Sequence, residues 1–304
     1  MTTLDAPADE RGWPSSAKDL WTLVRQAFTG WREDGAPRLG AALAYYTLFS
    51  LAPLLLAAIA IAGLVFGESA AEGRIVAELE SLIGRTGAQA VQGLIENSRQ
   101  ERSGIVATLA ALATLLVGAS GVFIELKNAL NVVWDVKAPP SGLSAALRAR
   151  LAAFALVLVV GFLLLVSLIL SAVLTALGGA FGQLLSEAAA LLQALNTLVS
   201  LVVVTVLFAM LFKFLPDTKV AWRDVWPGAA ITSLLFTVGK FLIGLYLGRS
   251  SVSSAYGAAG SIVILMIWVY YASQVFFFGA ELTQALAERR RGPGRAGSGP
   301  AAAR

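Results

Sequence analysis

The sequence predicts an all-α, polytopic membrane protein of six transmembrane helices with both termini in the cytoplasm. Three observations carry this. The chain is 57% hydrophobic and only 14% charged, against about 25% charged residues in soluble domains, so most of its surface must face something apolar. Its mean hydropathy is +0.75, and its apolar residues gather into six runs, each near or above the ~20 residues a helix needs to cross the hydrocarbon core. Its basic residues are asymmetric: of 23 Lys and Arg, seventeen fall on the side of the two termini and five on the other, with Lys240 inside a run. Segments rich in Lys and Arg stay inside, which directs both termini to the cytoplasm.

Residues 1–16 are polar and mixed in charge, with no basic stretch leading into an apolar core to mark a cleavable signal, and are expected to be disordered. From Ala17 to Trp31, Leu20, Trp21, Val24, Ala27, Phe28 and Trp31 recur at helical spacing among Lys18, Arg25 and Arg32. This reads as an amphipathic helix, either lying at the membrane surface with its aromatics at headgroup depth or packed on the rest of the protein. The membrane domain, residues 17–286, holds spans at about 39–66, 105–123, 147–177, 191–214, 225–247 and 258–280. Pro53, near the middle of the first, removes a backbone hydrogen bond and predicts a kink near Phe49 and Ser50. Between the first two spans, residues 67–104 carry six acids and four bases. There Ile75, Val76, Leu79, Leu82 and Ile83 share one helical face, and Val91, Leu94 and Ile95 another. Two amphipathic helices outside the membrane are expected, broken at Gly84–Gly87. Trp134, Trp222, Trp226 and Trp268 suit aromatic belts. Residues 287–304, basic and rich in Gly and Pro, are expected to form a disordered tail.

The first and fifth spans end alike, in GLVFG (Gly63–Gly67) and GLYLG (Gly244–Gly248). So do the second and sixth, in ELKNAL (Glu125–Leu130) and ELTQAL (Glu281–Leu286), each preceded by Ala-Ser-x-Val-Phe. Two related hairpins flanking the third and fourth spans are one reading; coincidence in an Ala/Leu/Gly-rich chain is the other. The paired glycines also suit close helix approach.

The chain has no Cys and no His, which excludes disulfides, Cys/His zinc sites and catalytic Cys or His. It has no Gly-rich phosphate loop and no basic stripe interleaved with aromatics, so no cofactor, no nucleic-acid partner and no enzymatic activity are expected. Asp217 and Asp224 stand apart on a short loop beside Lys219 and Arg223, unlike the converging acids of a metal-dependent nuclease. Lys240 lies ~21 Å along its helix from Trp226, where a charge is expensive. It either meets an anionic substrate such as a lipid phosphate, or snorkels to the outer headgroups. Tyr45, Tyr46 and Ser50 on the first span, with Lys240 and Tyr256, are the candidate substrate-lining residues. The alternative for the first three is interfacial anchoring and repair of the backbone freed by Pro53. Glu125, Asn128 and Glu281 are candidates for a cytoplasmic vestibule, with interfacial anchoring beside Lys127 and Arg289 as the other reading. Asn128 and Asn131 also suit capping the end of the second span.

Several segments together resemble a known family: GAALAYYTLFSLAPLLL (Gly40–Leu56), ALNVVWDV (Ala129–Val136), FLPDTK (Phe214–Lys219), VWPGAA (Val225–Ala230), Tyr256-Gly257 and GAEL (Gly279–Leu282). They are similar to the YihY / virulence factor BrkB family of bacterial inner-membrane proteins, over about Leu20 to Leu286. The resemblance implies a multi-pass protein of the bacterial cytoplasmic (inner) membrane, concerned with envelope maintenance through transport or export of a lipid or small solute. The partners it suggests are membrane lipids and an anionic lipid or small solute; it supplies no catalytic residues. A ribonuclease label attached to the family finds no support in these residues. The alternative is a non-transporting scaffold that recruits envelope partners through residues 67–104. A polar cleft open to one side would favour transport; a sealed apolar bundle would favour the scaffold.

Overall fold

The computed structural model describes residues 16–99, 121–136, 142, 186–249 and 260–291. The regular elements among them are all helical: α1 (Ala17–Glu33), α2 (Ala36–Phe66), α3 (Glu68–Arg99), α4 (121–133), α5 (Ser186–Phe214), α6 (Trp222–Arg249) and α7 (Gly260–Arg291). The expected third span, most of the second, Tyr256 and the comparison of the two hairpins lie outside the described residues. Three described helices hold stretches long and apolar enough to cross a membrane: Ala194–Phe214, Trp222–Tyr246 and Ile262–Arg290. α2 covers the expected first span as one helix, with the Ser50 hydroxyl donating back to the Thr47 carbonyl at 3.2 Å.

α7 is the hub. It packs against α1, α2, α3 and α6, and α5 joins the bundle through α6. Lipid tails are as apolar as leucine, so burial drives such helices together weakly, and close packing has to do more. Two devices supply it. The first is an aromatic stack in which Phe208 and Phe212 of α5, Phe236 of α6 and Phe276 of α7 approach with ring centroids 5.1–6.2 Å apart. Trp268 meets Phe236 edge-on at 5.7 Å and is buried. It is therefore a core residue rather than a belt residue, because it falls on the face of α7 turned toward α6. Trp222 and Trp226 are exposed and stacked on each other.

The second device is a reciprocal glycine–threonine crossing between α6 and α7. A Cβ on Gly228 would collide with Thr283, and one on Gly279 would collide with Thr232. The two threonines are fully buried. Each donates its hydroxyl to the carbonyl four residues back, Thr232 to Gly228 at 2.6 Å and Thr283 to Gly279 at 2.8 Å. The same Gly-x-x-x-Thr unit thus faces itself across the crossing. Gly244, by contrast, has open space around it, so the expected close approach is made at Gly228 and Gly279 instead. Thr205 of α5 and Ser233 of α6 add an inter-helical hydroxyl pair at 2.7 Å.

α3 corrects the expectation for residues 67–104. It is one helix of 32 residues, with no break at Gly84–Gly87. An interior glycine costs a helix only about 1 kcal/mol, and tertiary contacts outweigh it: Ala90, Val91 and Ile95 are buried against Ile59 of α2 and Ile264 and Leu265 of α7. The chain enters α3 through Gly67, whose φ of +81° makes the reversal from α2 possible.

The far end of α7 is a second correction. The helix runs to Arg291, into the segment expected to be a disordered tail. Its last turns are held on both sides: Leu282, Ala285 and Leu286 pack on Leu23 and Ala27 of α1, Arg289 pairs with Asp19 at 2.9 Å, and Arg290 pairs with Asp224 at 2.7 Å. α1 begins at Ser16, whose hydroxyl accepts from the Asp19 amide at 3.2 Å. Its other face leaves Leu20, Trp21 and Phe28 exposed. Near the same end, Asn131 latches the loop between α5 and α6 instead of capping its own helix. Its amide donates to Asp217 at 2.9 Å, its oxygen accepts from the Asp217 backbone N–H at 2.8 Å, and Lys127 pairs with Asp217 at 2.9 Å.

Candidate functional site

At the end of the bundle where α1 docks on α7, a cavity of ≈540 Å³ is lined by Arg25, Glu33 and Asp34 from α1 and its C-cap, by Asp135, and by Glu281 and Glu288 of α7. Glu281 is its deepest group. The residue is 2% exposed, and its Oε1 has no hydrogen-bond partner among the described residues. A buried, unsatisfied acceptor costs about 1–3 kcal/mol, more when charged.

Local sequence features deliver these carboxylates. α1 stops at Asp34, and the following Gly35, at φ +67°, turns the chain into α2, so Asp34 is left beside the flank of α7. There it exchanges a side-chain hydrogen bond with Glu281. That contact is possible because residue 30, one turn earlier, is glycine: any Cβ there would run into the Glu281 carboxylate. α4 ends with Asp135 in the left-handed region at φ +50°, the one described non-glycine residue with positive φ. The turn is closed by the Val136 amide donating to the Asn131 carbonyl at 2.9 Å. Glycine would be the low-energy choice at such a helix end; an aspartate there puts a third acid on the cavity, with Gln284 donating to it at 3.4 Å.

Burial pushes the Asp34 carboxyl above the ordinary carboxylate range. The hydrogen bond with Glu281 pulls it down, and the neighbouring Asp135 and Glu33 charges raise it further. A carboxyl raised on folding binds more protons in the folded than in the unfolded chain, so its contribution to stability falls as pH rises through the folded-state value. We expect the thermal midpoint of the wild-type protein to decline as pH is taken upward from about 4, and Asp34→Asn to flatten that decline. The check is a midpoint series against pH for both proteins; parallel curves would show that Asp34 does not contribute.

Of the sequence-derived vestibule residues, only Glu281 reaches this cavity. Glu125 and Asn128 lie on α4, half-buried and exposed respectively, and do not line it. The residues that join Glu281 are Asp34 and Asp135, which sequence reasoning did not single out. Tyr45 and Tyr46 are exposed on α2. Tyr45 packs on Phe49 with ring centroids 4.9 Å apart, and Tyr46 covers Gly121 of α4. Lys240 sits half-buried on α6. α2 and α6 both pack on α7 and have no extensive contact of their own, so these residues ride on different flanks of the hub. Asp217 and Asp224 are engaged separately, with Lys127 and Arg290.

The model of the family described as Virulence factor BrkB matches residues 27–304. A UPF0761 membrane protein of Verminephrobacter eiseniae is 29% identical over 292 residues, covering 94% of this chain and 65% of the relative. One of Rhodospirillum centenum is 27% identical over 285 residues, covering 93% and 61%. The YihY protein of Salmonella newport, also named a UPF0761 membrane protein, is 37% identical over 83 residues, or 27% of this chain and 29% of the relative. The chain spans a little under two thirds of the length of the two relatives it matches end to end. No solved structure matches it. The chain belongs to the virulence factor BrkB family of membrane proteins, with the YihY-type UPF0761 proteins as its relatives.

Proposed function

We propose that this protein moves a small solute across the bacterial inner membrane, with six spans, both termini in the cytoplasm, and the acidic cavity between α1 and α7 as its cytoplasmic entrance. The carrying observation is the cavity itself: a polar cleft with a buried carboxylate, Glu281, at its inner end. A sealed apolar bundle would have no use for it. Ionisable groups set into a membrane helix are expensive and belong by default to substrate or proton pathways. The charge asymmetry of the loops supports the orientation. Tyr45, Tyr46, Ser50 and Lys240 remain candidates for lining deeper parts of the path. An anionic lipid is the alternative cargo, with Lys240 as its contact.

A non-transporting scaffold is the second reading. The observation that favours it is the exposed polar face of α3, with Arg74, Glu80, Arg85 and Glu96.

The test is flux in proteoliposomes, using cationic, neutral and anionic solutes and a labelled anionic lipid. Wild-type protein is expected to move one class above the rate of empty vesicles, and Glu281→Gln to slow that movement about tenfold, the loss of one charged hydrogen-bond partner. If wild-type protein matches empty vesicles for every class, translocation is wrong and the scaffold stands. If only lipid moves, and Lys240→Ala stops it, the cargo is anionic.

A further inference from the structure

Three features of the cavity each work against local stability. Gly30 sits inside a helix, where it costs about 1 kcal/mol relative to alanine. Asp135 occupies a left-handed conformation that costs a non-glycine residue roughly 1–2 kcal/mol. Glu281 is buried with one oxygen unsatisfied among the described residues. All three present carboxylates to one space. Strained or unsatisfied groups that converge point to a ligand rather than to the fold.

The lining selects the ligand's charge and shape. Arg25 is the one base against five acids among the described lining residues, so the ligand is cationic. A bare metal ion does not suit the geometry, because among the described residues no three acids converge closely enough to hold one. The carboxylates are instead spread around ≈540 Å³, room for about 18 waters at ~30 Å³ each and within the usual size of small-molecule sites. Spread carboxylates match charges spread along a chain.

We propose that the cavity binds a linear oligoamine through Glu281, Asp34 and Asp135. The proposal rests on reading the cavity as the solute entrance. Each ammonium offers three N–H donors. One would satisfy the free Oε1 of Glu281 and reach Asp34; another would meet Asp135, with the carbons between them passing Ala285. Two carboxyl groups hydrogen-bonded to each other, as Asp34 and Glu281 are, hold one proton between them. An entering ammonium takes the place of that proton, so binding releases up to one proton to solvent. Glu33, Asp135 and Glu288 favour the cation, and Arg25 opposes it.

The test is calorimetric titration of the full-length protein in nanodiscs of neutral lipid, with spermidine as probe, Mg²⁺ as competitor, and two buffers of different ionisation enthalpy. Saturable spermidine binding with proton release is expected. Glu281→Gln should weaken it tenfold or more and abolish the proton release, and Arg25→Gln should tighten it several-fold. The glutamine keeps the size of the side chain, and the Arg25 arm gives a readout that does not depend on that variant folding. The proposal is overturned if wild-type protein shows no saturable binding, if Glu281→Gln binds equally well, or if Mg²⁺ displaces spermidine at equal concentration. Binding without flux would refute translocation and leave the oligoamine site standing; flux of other solutes without spermidine binding would do the reverse.

Discussion

Gly279→Val is expected to lower the stability of the bundle by about 3 kcal/mol, the upper part of the usual cost of overpacking. A Cβ at residue 279 would lie 2.8 Å from both Cβ and Cγ2 of Thr232 and closer still to its hydroxyl. Thr232 cannot swing away cheaply. It is fully buried, and its hydroxyl is committed to the Gly228 carbonyl. The helices must therefore part, and parting also loosens the mirror contact of Gly228 with Thr283. In lipid no water-driven collapse restores the contact, since the packing itself is the attraction. Thermal or denaturant unfolding in detergent should show the loss. Exchanging the small partner, as Gly279→Ala with Thr232→Gly, should recover much of the cost of Gly279→Ala alone, apart from the ~1 kcal/mol of a helical glycine. If Gly279→Val unfolds at the wild-type midpoint, the crossing is not close-packed.

That crossing shows what could be read from the sequence and what could not. The apolar runs behind α5, α6 and α7 were legible because length and composition alone mark a segment able to span a bilayer. The amphipathic reading of α1 was legible for the same kind of reason: Leu23 and Ala27 fall on the face that meets α7. Glycines were not legible. Gly84 and Gly87 looked like a break and lie inside one helix, whereas Gly244 looked like a contact and meets open space. A glycine's role depends on which neighbour approaches it, and that is set by the whole bundle. Trp268 was misplaced likewise, because an aromatic near a span end is equally at home in a belt or a core.

The acidic cavity was half legible. Glu281 drew notice as an acid at the end of an apolar run. Its partners did not, since Asp34 is some 250 residues away in sequence and reads as an ordinary helix-terminal aspartate. Asp135 carries its information in a backbone angle, which sequence does not display. Gly30 offered the usable signal: a glycine within an otherwise regular helix has a packing reason more often than not, and here the reason is the Glu281 carboxylate. The vestibule expected from Glu125, Asn128 and Glu281 came from similarity between two helix ends. Similar ends of different helices need not face one space, and only Glu281 lines this one.

Asn131→Ala is the second large effect expected, at about 2–4 kcal/mol. Asn131 is 6% exposed and makes two hydrogen bonds to one residue, Asp217, through its side chain and its backbone N–H. Alanine would leave both Asp217 groups unpaired in a part-buried setting, each loss costing about 1–2 kcal/mol. Lys127 would still pair with the Asp217 carboxylate, which caps the damage. Asn131→Asp separates the possible causes. It preserves volume and can still accept from the Asp217 N–H, but sets a second negative charge against the Asp217 carboxylate. If the latch acts through charge-assisted hydrogen bonding, Asn131→Asp should be at least as unstable as Asn131→Ala near pH 7 and should recover as pH falls toward the carboxylate range. If it acts only by filling space, the aspartate should match wild type at every pH. Proteolysis of the 215–221 loop gives a local readout, because releasing the latch should speed cleavage there before the bundle unfolds. Equal cleavage rates in all three proteins would mean that the α5–α6 loop is held by the Lys213 contact with the Val220 carbonyl and not by Asn131.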